Sequence, residues 1–118
     1  MGSDINVQNK KGVIYIFLTG TYTKNKFLEC VNLVRESCEK HQTDKAIIDG
    51  RTITNPDIPD IDRFLIGEQM AIKLIGYKVS ILWPEAFIKN FGTQVAVNRG
   101  AQARTFANEE EALNWLNQ

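Results

Sequence analysis

A run of six apolar residues, Val13 to Leu18, constrains the fold of this chain more than any other feature. Most of these residues are β-branched or aromatic, which favours a strand, and the strand would be apolar on both faces. A strand with one wet face would alternate apolar and polar residues instead. The run therefore predicts an interior strand of a sheet that is covered on both sides.

Extended and helical patterns alternate along the chain. Ile5 to Asn9 and Gly12 to Leu18 form a hairpin across a short polar turn. The later strands are predicted at Lys45 to Asp49, Lys78 to Trp83 and Ala103 to Phe106. Four helices are predicted to begin near Thr23, Asp60, Glu85 and Asn108. The third of these helices should end at Gly100. This order predicts a single α/β domain over residues 1–118, with about four helices and a mostly parallel sheet of about five strands whose N-terminal edge strand is antiparallel.

The charge balance argues against two classes of partner. The chain has 14 basic and 14 acidic residues with no block of like charge, so nothing predicts binding to nucleic acid or anionic lipid. No apolar run approaches the roughly 20 residues of a membrane span, and the first residues lack the pattern of a signal peptide. We therefore expect no membrane span and a cytoplasmic protein.

The two cysteines predict neither a disulfide nor a metal site. Cys30 and Cys38 fall in one predicted helix, which separates their backbones by about 12 Å, too far for a disulfide. Cys38 and His41 could face one ion, but two ligands make a poor zinc site. We expect both cysteines to be small core residues, and we predict no metal and no cofactor.

Glu68 is the residue that fits its predicted surroundings least. It falls within the apolar stripe of the second helix, which comprises Ile61, Phe64, Leu65, Ala71, Ile72 and Ile75. A carboxylate that faces a core must be paired, hydrogen-bonded or protonated. We expect a buried ion pair with Arg99, Arg104 or Arg51, and the alternative is a tuned catalytic acid or base. Nothing else predicts catalysis, because the sequence has neither a glycine-rich phosphate loop nor a nucleophile elbow.

The second helix carries another apolar stripe, formed by Ile66, Met70 and Leu74 at four-residue spacing. A helix of a monomer needs only one apolar face. The second face must therefore contact either a neighbouring helix of the domain or a second copy of the chain, and the latter would make a symmetric homodimer.

Ligands of parallel α/β sheets collect beyond the carboxyl ends of the strands. We expect that edge to present a group of aromatic and charged side chains, namely Tyr22, Asp49, Arg51 and Trp83, with Asp62 or Arg63 nearby. Such a group could bind a small polar or amphipathic molecule. Alternatively, Asp49 and Arg51 pair to fix the following loop and Trp83 packs beneath it.

Several short motifs stand out along the second half of the chain: Asp62-Arg63-Phe64 with Gly67-Glu68, then Asn98-Arg99-Gly100, and Arg104-Thr105-Phe106 leading to Ala112-Leu113-Asn114-Trp115-Leu116. These motifs resemble those of the STAS-like superfamily, which is named for sulfate transporters and anti-sigma-factor antagonists. The chain looks most like the small bacterial STAS/CRAL-TRIO-type proteins, a group whose biochemical role is not settled. The resemblance implies a βαβα fold and a regulatory, protein-binding role.

In the anti-sigma antagonists the loop after the third strand carries a regulatory serine, and no serine stands in that loop here. Thr52 and Thr54 could accept a phosphate, but Asp57, Asp60 and Asp62 would repel it. We therefore expect the two threonines to have turn-forming and capping roles.

The sequence supports three functional hypotheses. The first is a non-enzymatic module that binds a protein partner or itself through the second helix and the loop before it. The second, which the CRAL-TRIO side of the resemblance implies, is a small-molecule or lipid-binding domain at the carboxyl edge of the sheet. The third is an acid/base enzyme built on Glu68.

Overall fold

A five-stranded sheet forms the centre of the computed structural model, which describes residues 3–118 with the side chains of Ser3 and Phe91 excepted. The strands are β1 (Ser3–Lys10), β2 (Val13–Gly20), β3 (Lys45–Asp49), β4 (Lys78–Leu82) and β5 (Gln102–Phe106). They lie in chain order, with β1 antiparallel to β2 and all later pairs parallel. The predicted α/β fold with an antiparallel edge strand is confirmed.

Four α-helices accompany the sheet: α1 (Lys24–His41), α2 (Asp60–Lys73), α3 (Phe91–Asn98) and α4 (Glu109–Leu116). The predicted caps of the first and last helix are present. Thr23 Oγ1 accepts a hydrogen bond from the Lys26 amide at 3.2 Å, and Asn108 Oδ1 accepts one from the Glu111 amide at 3.1 Å. Between residues 3 and 118, no helix is long and apolar enough to cross a membrane.

The strand order decides where the helices lie. Each helical crossover adds the next parallel strand on the same side of the preceding one, so the sheet is extended in one direction. Such crossovers are right-handed. Consequently α1, α2 and α3 pack on one face of the sheet, whereas α4 follows the last strand and packs on the other. The sheet is therefore singly wound, which means that all the helices that connect parallel strands lie on one of its faces.

Both faces of β2 are buried, as its sequence predicts. Ile14, Ile16 and Leu18 point into the core beneath α1 and α2, while Val13 and Tyr15 point into a smaller core beneath α4. The larger core also receives the two cysteines of α1, whose side chains are fully buried and unpaired. Their predicted role as core residues is confirmed.

Helices α2 and α3 approach each other so closely that glycine is required at the contact. A Cβ atom on Gly67 would lie 2.4 Å from the carbonyl oxygen of Gly92 and 2.9 Å from the Cβ of Val95. No side chain at residue 67 fits at this distance without a shift of the backbone. The contact therefore sets the rotation of α2 about its own axis.

That rotation overturns part of the sequence prediction for α2. Ile66, Met70 and Leu74 are at most 4% exposed and belong to the larger core. Their assignment to a possible homodimer interface was wrong, and the alternative, packing within the chain, is what the structure has. The physical reason is that these residues lie on the same side of the helix as Gly67, which must face α3.

Most of the other stripe of α2, predicted to be core, faces outwards, whereas its Ala71 is buried as predicted. Ile61 is 64% exposed and Ile72 is 68% exposed. The side chain of Glu68 is 35% exposed, and that of its ion-pair partner Arg99, at 3.6 Å, is 48% exposed. The predicted pairing with Arg99 is found, but neither charge is buried, because the stripe that carries Glu68 lies opposite the core.

The third predicted helix, from about Glu85 to Gly100, is interrupted. A single 3₁₀ turn spans Glu85–Phe87, Ile88 is extended with φ −74° and ψ 120°, and α3 begins only at Phe91. The interruption has a tertiary cause. The backbone carbonyls of Phe87 and Lys89 accept hydrogen bonds from the guanidinium of Arg63 instead of from a following turn of helix.

We expect Gly67→Ala to lower the free energy of unfolding by about 2 kcal/mol. Overpacking against the α3 backbone costs roughly 1–3 kcal/mol, and the higher helix propensity of alanine offsets up to about 1 kcal/mol of that. Urea denaturation measures the difference. Gln69→Ala on the same helix is the control and should change stability by no more than about 0.5 kcal/mol. Equal stability of the two variants would contradict the close contact.

Candidate functional site

Trp83, at the end of β4, fixes the loop between β3 and α2. Its side chain is 2% exposed, and its indole nitrogen donates a hydrogen bond to the carbonyl oxygen of Pro56 at 2.8 Å. The ring also covers Gly50, where a Cβ atom would lie 2.4 Å from Cζ3. Trp83 therefore packs beneath the loop, which is the structural alternative that the sequence left open.

Tyr22 ties the start of α1 to the same region. Its hydroxyl donates a hydrogen bond to a carboxylate oxygen of Asp62 at 2.9 Å, and its ring packs edge-on against Trp83. Burial, and next the hydrogen bond to the Asp62 carboxylate, raise the pKa of Tyr22 well above its usual range. The phenol stays protonated and acts as a fixed donor.

Asp49 and Arg51 form a separate network under α4. Arg51 donates to both carboxylate oxygens of Asp49, at 3.1 Å from Nε and 2.8 Å from Nη2, and lies 3.5 Å from a carboxylate oxygen of Glu109. Glu109 in turn accepts a hydrogen bond from the hydroxyl of Tyr15 at 2.9 Å. The hydrogen bond with Asp49 raises the pKa of Arg51. The pair fixes the loop after β3.

The structure brings the five predicted ligand-binding residues together only in part. Trp83 contacts Tyr22, lines one cavity with Arg63 and lines a separate surface cleft with Arg51, which pairs with Asp49. Tyr22, Arg63 and Trp83 lie on the face of the sheet that carries α1 and α2, while Asp49 and Arg51 lie on the face that carries α4. Two physical reasons account for the separation. Successive residues of a strand point to opposite faces, and a singly wound sheet has no switch point at which a crevice would open.

Arg63 is a charged residue that is almost completely buried. It lies in the first turns of α2, is 6% exposed, and donates from Nε to the carbonyl oxygen of Ile58 at 2.9 Å. Nη1 and Nη2 donate to the carbonyls of Lys89 at 3.3 Å and Phe87 at 3.2 Å. Burial lowers the pKa of Arg63, because desolvation penalises its charge more than nearby carboxylates stabilise it.

The side of α2 that faces away from the core carries exposed and half-buried apolar residues. We call it the outer face, and it comprises Ile61, Phe64, Leu65, Glu68 and Ile72 of the helix and Ile75 of the turn that follows. The guanidinium of Arg99 borders it, 5.7 Å from the centre of the Phe64 ring. Sequence reasoning assigned these residues to the core. The charge of Glu68 in the middle of the stripe was the signal that could have placed them outside.

The two threonines of the loop after β3 differ in their contacts. The hydroxyl of Thr54 donates to the carbonyl oxygen of Gly20 at 3.1 Å, which joins the loop to the end of β2, whereas Thr52 is exposed. A phosphate on Thr54 would break that contact. The prediction that neither threonine is a phosphorylation site stays a prediction.

The cysteine thiols are poor nucleophiles at neutral pH. Burial raises the pKa of Cys30 to about 12 and that of Cys38 to about 11, so neither is a thiolate at neutral pH. In the described part of the chain, no three side chains of the metal-binding kinds are grouped closely enough to hold an ion.

Alkaline pH should loosen the α4 side of the molecule. Burial, and next the hydrogen bond to Glu109, raise the pKa of Tyr15 to about 12, against about 10 in an unfolded chain. The resulting stabilisation is complete below pH 10 and is lost as the pH rises through 12. We expect the free energy of unfolding to fall over this range, and to fall less steeply in Tyr15→Phe than in the wild type. Identical slopes in the variant and the wild type would contradict the assignment.

Comparison with known proteins supports the fold. No protein-family model matches the chain, and no curated protein matches its sequence. Among solved structures, the chain is similar to an uncharacterized protein from the DUF3478 family with a SpoIIAA-like fold, from Shewanella loihica PV-4. The two are 19% identical, the match covers 98% of this chain and 94% of that chain, and the TM-score is 0.52. At this identity the likeness concerns the fold alone: the chain has a SpoIIAA-like, or STAS-like, fold.

Proposed function

We propose that this chain is a non-enzymatic interaction module that pairs with a second copy of itself through the outer face of α2. The observation that carries the proposal is the exposure of three isoleucines, two on α2 and one in the turn that follows it. Ile61, Ile72 and Ile75 are 64%, 68% and 54% exposed. Contiguous apolar surface of this kind marks interaction sites, because its burial against a partner removes it from water.

The spacing of the outer face suits a two-fold axis. Ile61 and Ile75 lie seven residues on either side of Glu68, and Phe64 and Ile72 lie four residues on either side. In an antiparallel pair of α2 helices centred on Glu68, Phe64 of each copy therefore meets Ile72 of the other, and Ile61 lies near the turn after the partner helix, which carries Ile75. A symmetric dimer requires such a self-complementary surface.

The charges at the centre of the outer face are also self-complementary. Such a two-fold axis brings the Glu68 carboxylates of the two copies together, and each has an arginine, Arg99, at 3.6 Å within its own chain. At the axis the negative charges of two carboxylates therefore equal the positive charges of two guanidiniums. A polar residue at one position of an otherwise apolar helix pair also fixes the register and favours one partner over others.

Other features support a binding role over catalysis. Glu68, which the sequence offered as an acid/base candidate, is engaged with Arg99. A protein-binding role is also what the STAS-like resemblance of the sequence implies.

Ile72→Glu should weaken self-association by at least about tenfold, because it places an unpaired charge at the centre of the buried surface. Sedimentation velocity over a range of protein concentrations measures the change. The side chain is 68% exposed, so the fold should be retained. Val7→Glu, at an exposed residue of β1, is the control and should leave association unchanged. A wild-type chain that stays monomeric at high concentration would refute the proposal.

Charge reversal tests the register. Glu68→Arg brings four guanidiniums to the axis and Arg99→Glu brings four carboxylates, so each single variant should associate at least about tenfold more weakly. The double variant Glu68→Arg/Arg99→Glu restores the balance and should recover association to within a few-fold of the wild type. Full association of both single variants would contradict this register even if the chain dimerises.

A further inference from the structure

Arg63 is buried without an ion pair, although the carboxylates of Asp57 and Asp60 lie near enough to stabilise its charge. Within residues 3–118, the ion pairs of the structure do not include Arg63. The nearby Asp57 pairs with Lys89, and Asp62 accepts the hydrogen bond from Tyr22. Carbonyl oxygens stabilise a guanidinium, but they do not cancel its charge.

The guanidinium retains donor capacity. Arginine has five N–H groups, and three are used by the carbonyls of Ile58, Phe87 and Lys89. Among the described contacts, one N–H on Nη1 and one on Nη2 are left over. A carboxylate accepts two such bonds from the same arginine in a planar, bidentate arrangement.

A cavity adjoins this arginine. Its volume is about 40 Å³, and its wall is mostly apolar, with Phe27, Ile58, Ile66, Met70, Trp83 and Ile88 among the lining residues. Its polar lining residues are Arg63, Lys89, Thr93 and Thr105. A water-sized group needs roughly 10–15 Å³ on this measure, so the cavity admits only a small molecule.

We propose that this cavity binds a short aliphatic carboxylate, whose carboxylate group pairs with the guanidinium of Arg63 and whose alkyl chain lies against the apolar wall. The burial of Arg63 selects for an anion, since the attraction between opposite charges is strongest where water is excluded. The planar fork selects for a carboxylate over a spherical ion. The volume limits the chain to about two to four carbon atoms.

This site is separate from the outer face of α2. The core side of the helix carries Arg63, Ile66 and Met70, whereas the outer face carries the exposed isoleucines. Its existence does not depend on whether the chain dimerises.

Titration of the full-length protein with propionate tests the proposal by NMR. We expect saturable shifts of the Arg63 side-chain Nε–H, the Lys89 amide and the Trp83 indole N–H. Propionamide, which has the same shape without the charge, and chloride at equal ionic strength are the matched controls and should shift these signals at least tenfold less at equal concentration. Octanoate, whose chain exceeds the cavity, should bind at least tenfold more weakly than propionate.

Arg63→Lys is the matched variant, because it keeps the charge and removes the fork. It should bind propionate at least tenfold more weakly. Equal binding of propionate and propionamide by the wild type, equal shifts with chloride, or undiminished binding by Arg63→Lys would each overturn the proposal. If the variant does not fold, the comparison of propionate, propionamide and chloride in the wild type still tests whether the cavity binds a carboxylate. Tighter binding of octanoate would overturn the size limit and assign the site to longer acyl chains.

Discussion

The contact between Gly67 and Gly92 is the constraint on which the rest of this face of the molecule depends. It brings the backbones of α2 and α3 together and permits only one rotation of α2. In that rotation Arg63 is directed inward, where it finds backbone carbonyls, and Ile72 is directed into solvent. One close approach between two glycines therefore determines both the cavity and the outer face.

Much of the fold is encoded locally and could be predicted from the sequence. The two-sided apolar run of β2 required cover on both faces of the sheet, and Thr23 and Asn108 marked the starts of two helices. The alternation of strands and helices gave the parallel order of β2 to β5. Each of these signals lies within a few residues of the structure that it specifies, so no long-range contact had to be known.

The errors concern features that are decided by distant contacts. Helix α2 carries two apolar stripes, and only the approach of Gly92, 25 residues away, decides that the stripe with Ile66 is buried. The break before α3 depends on Arg63. Its guanidinium donates hydrogen bonds to the carbonyls of Phe87 and Lys89, which in a continuous helix would accept them from the following turn. The predicted ligand residues are divided between the two faces of the sheet for a topological reason, since nothing in the local sequence revealed that the sheet is singly wound. Their role in ligand binding stays a prediction.

Helix α2 presents a buried cation on one side and an apolar stripe on the other, and its backbone is a rigid link between them. A molecule that altered the seating of Arg63 would have to move the helix against α3 or distort it. If the chain pairs as proposed, such a molecule would shift the equilibrium between free and paired chains by the difference between its binding free energies to the two. Thermodynamic reciprocity then requires that pairing alter the affinity of the cavity by the same factor.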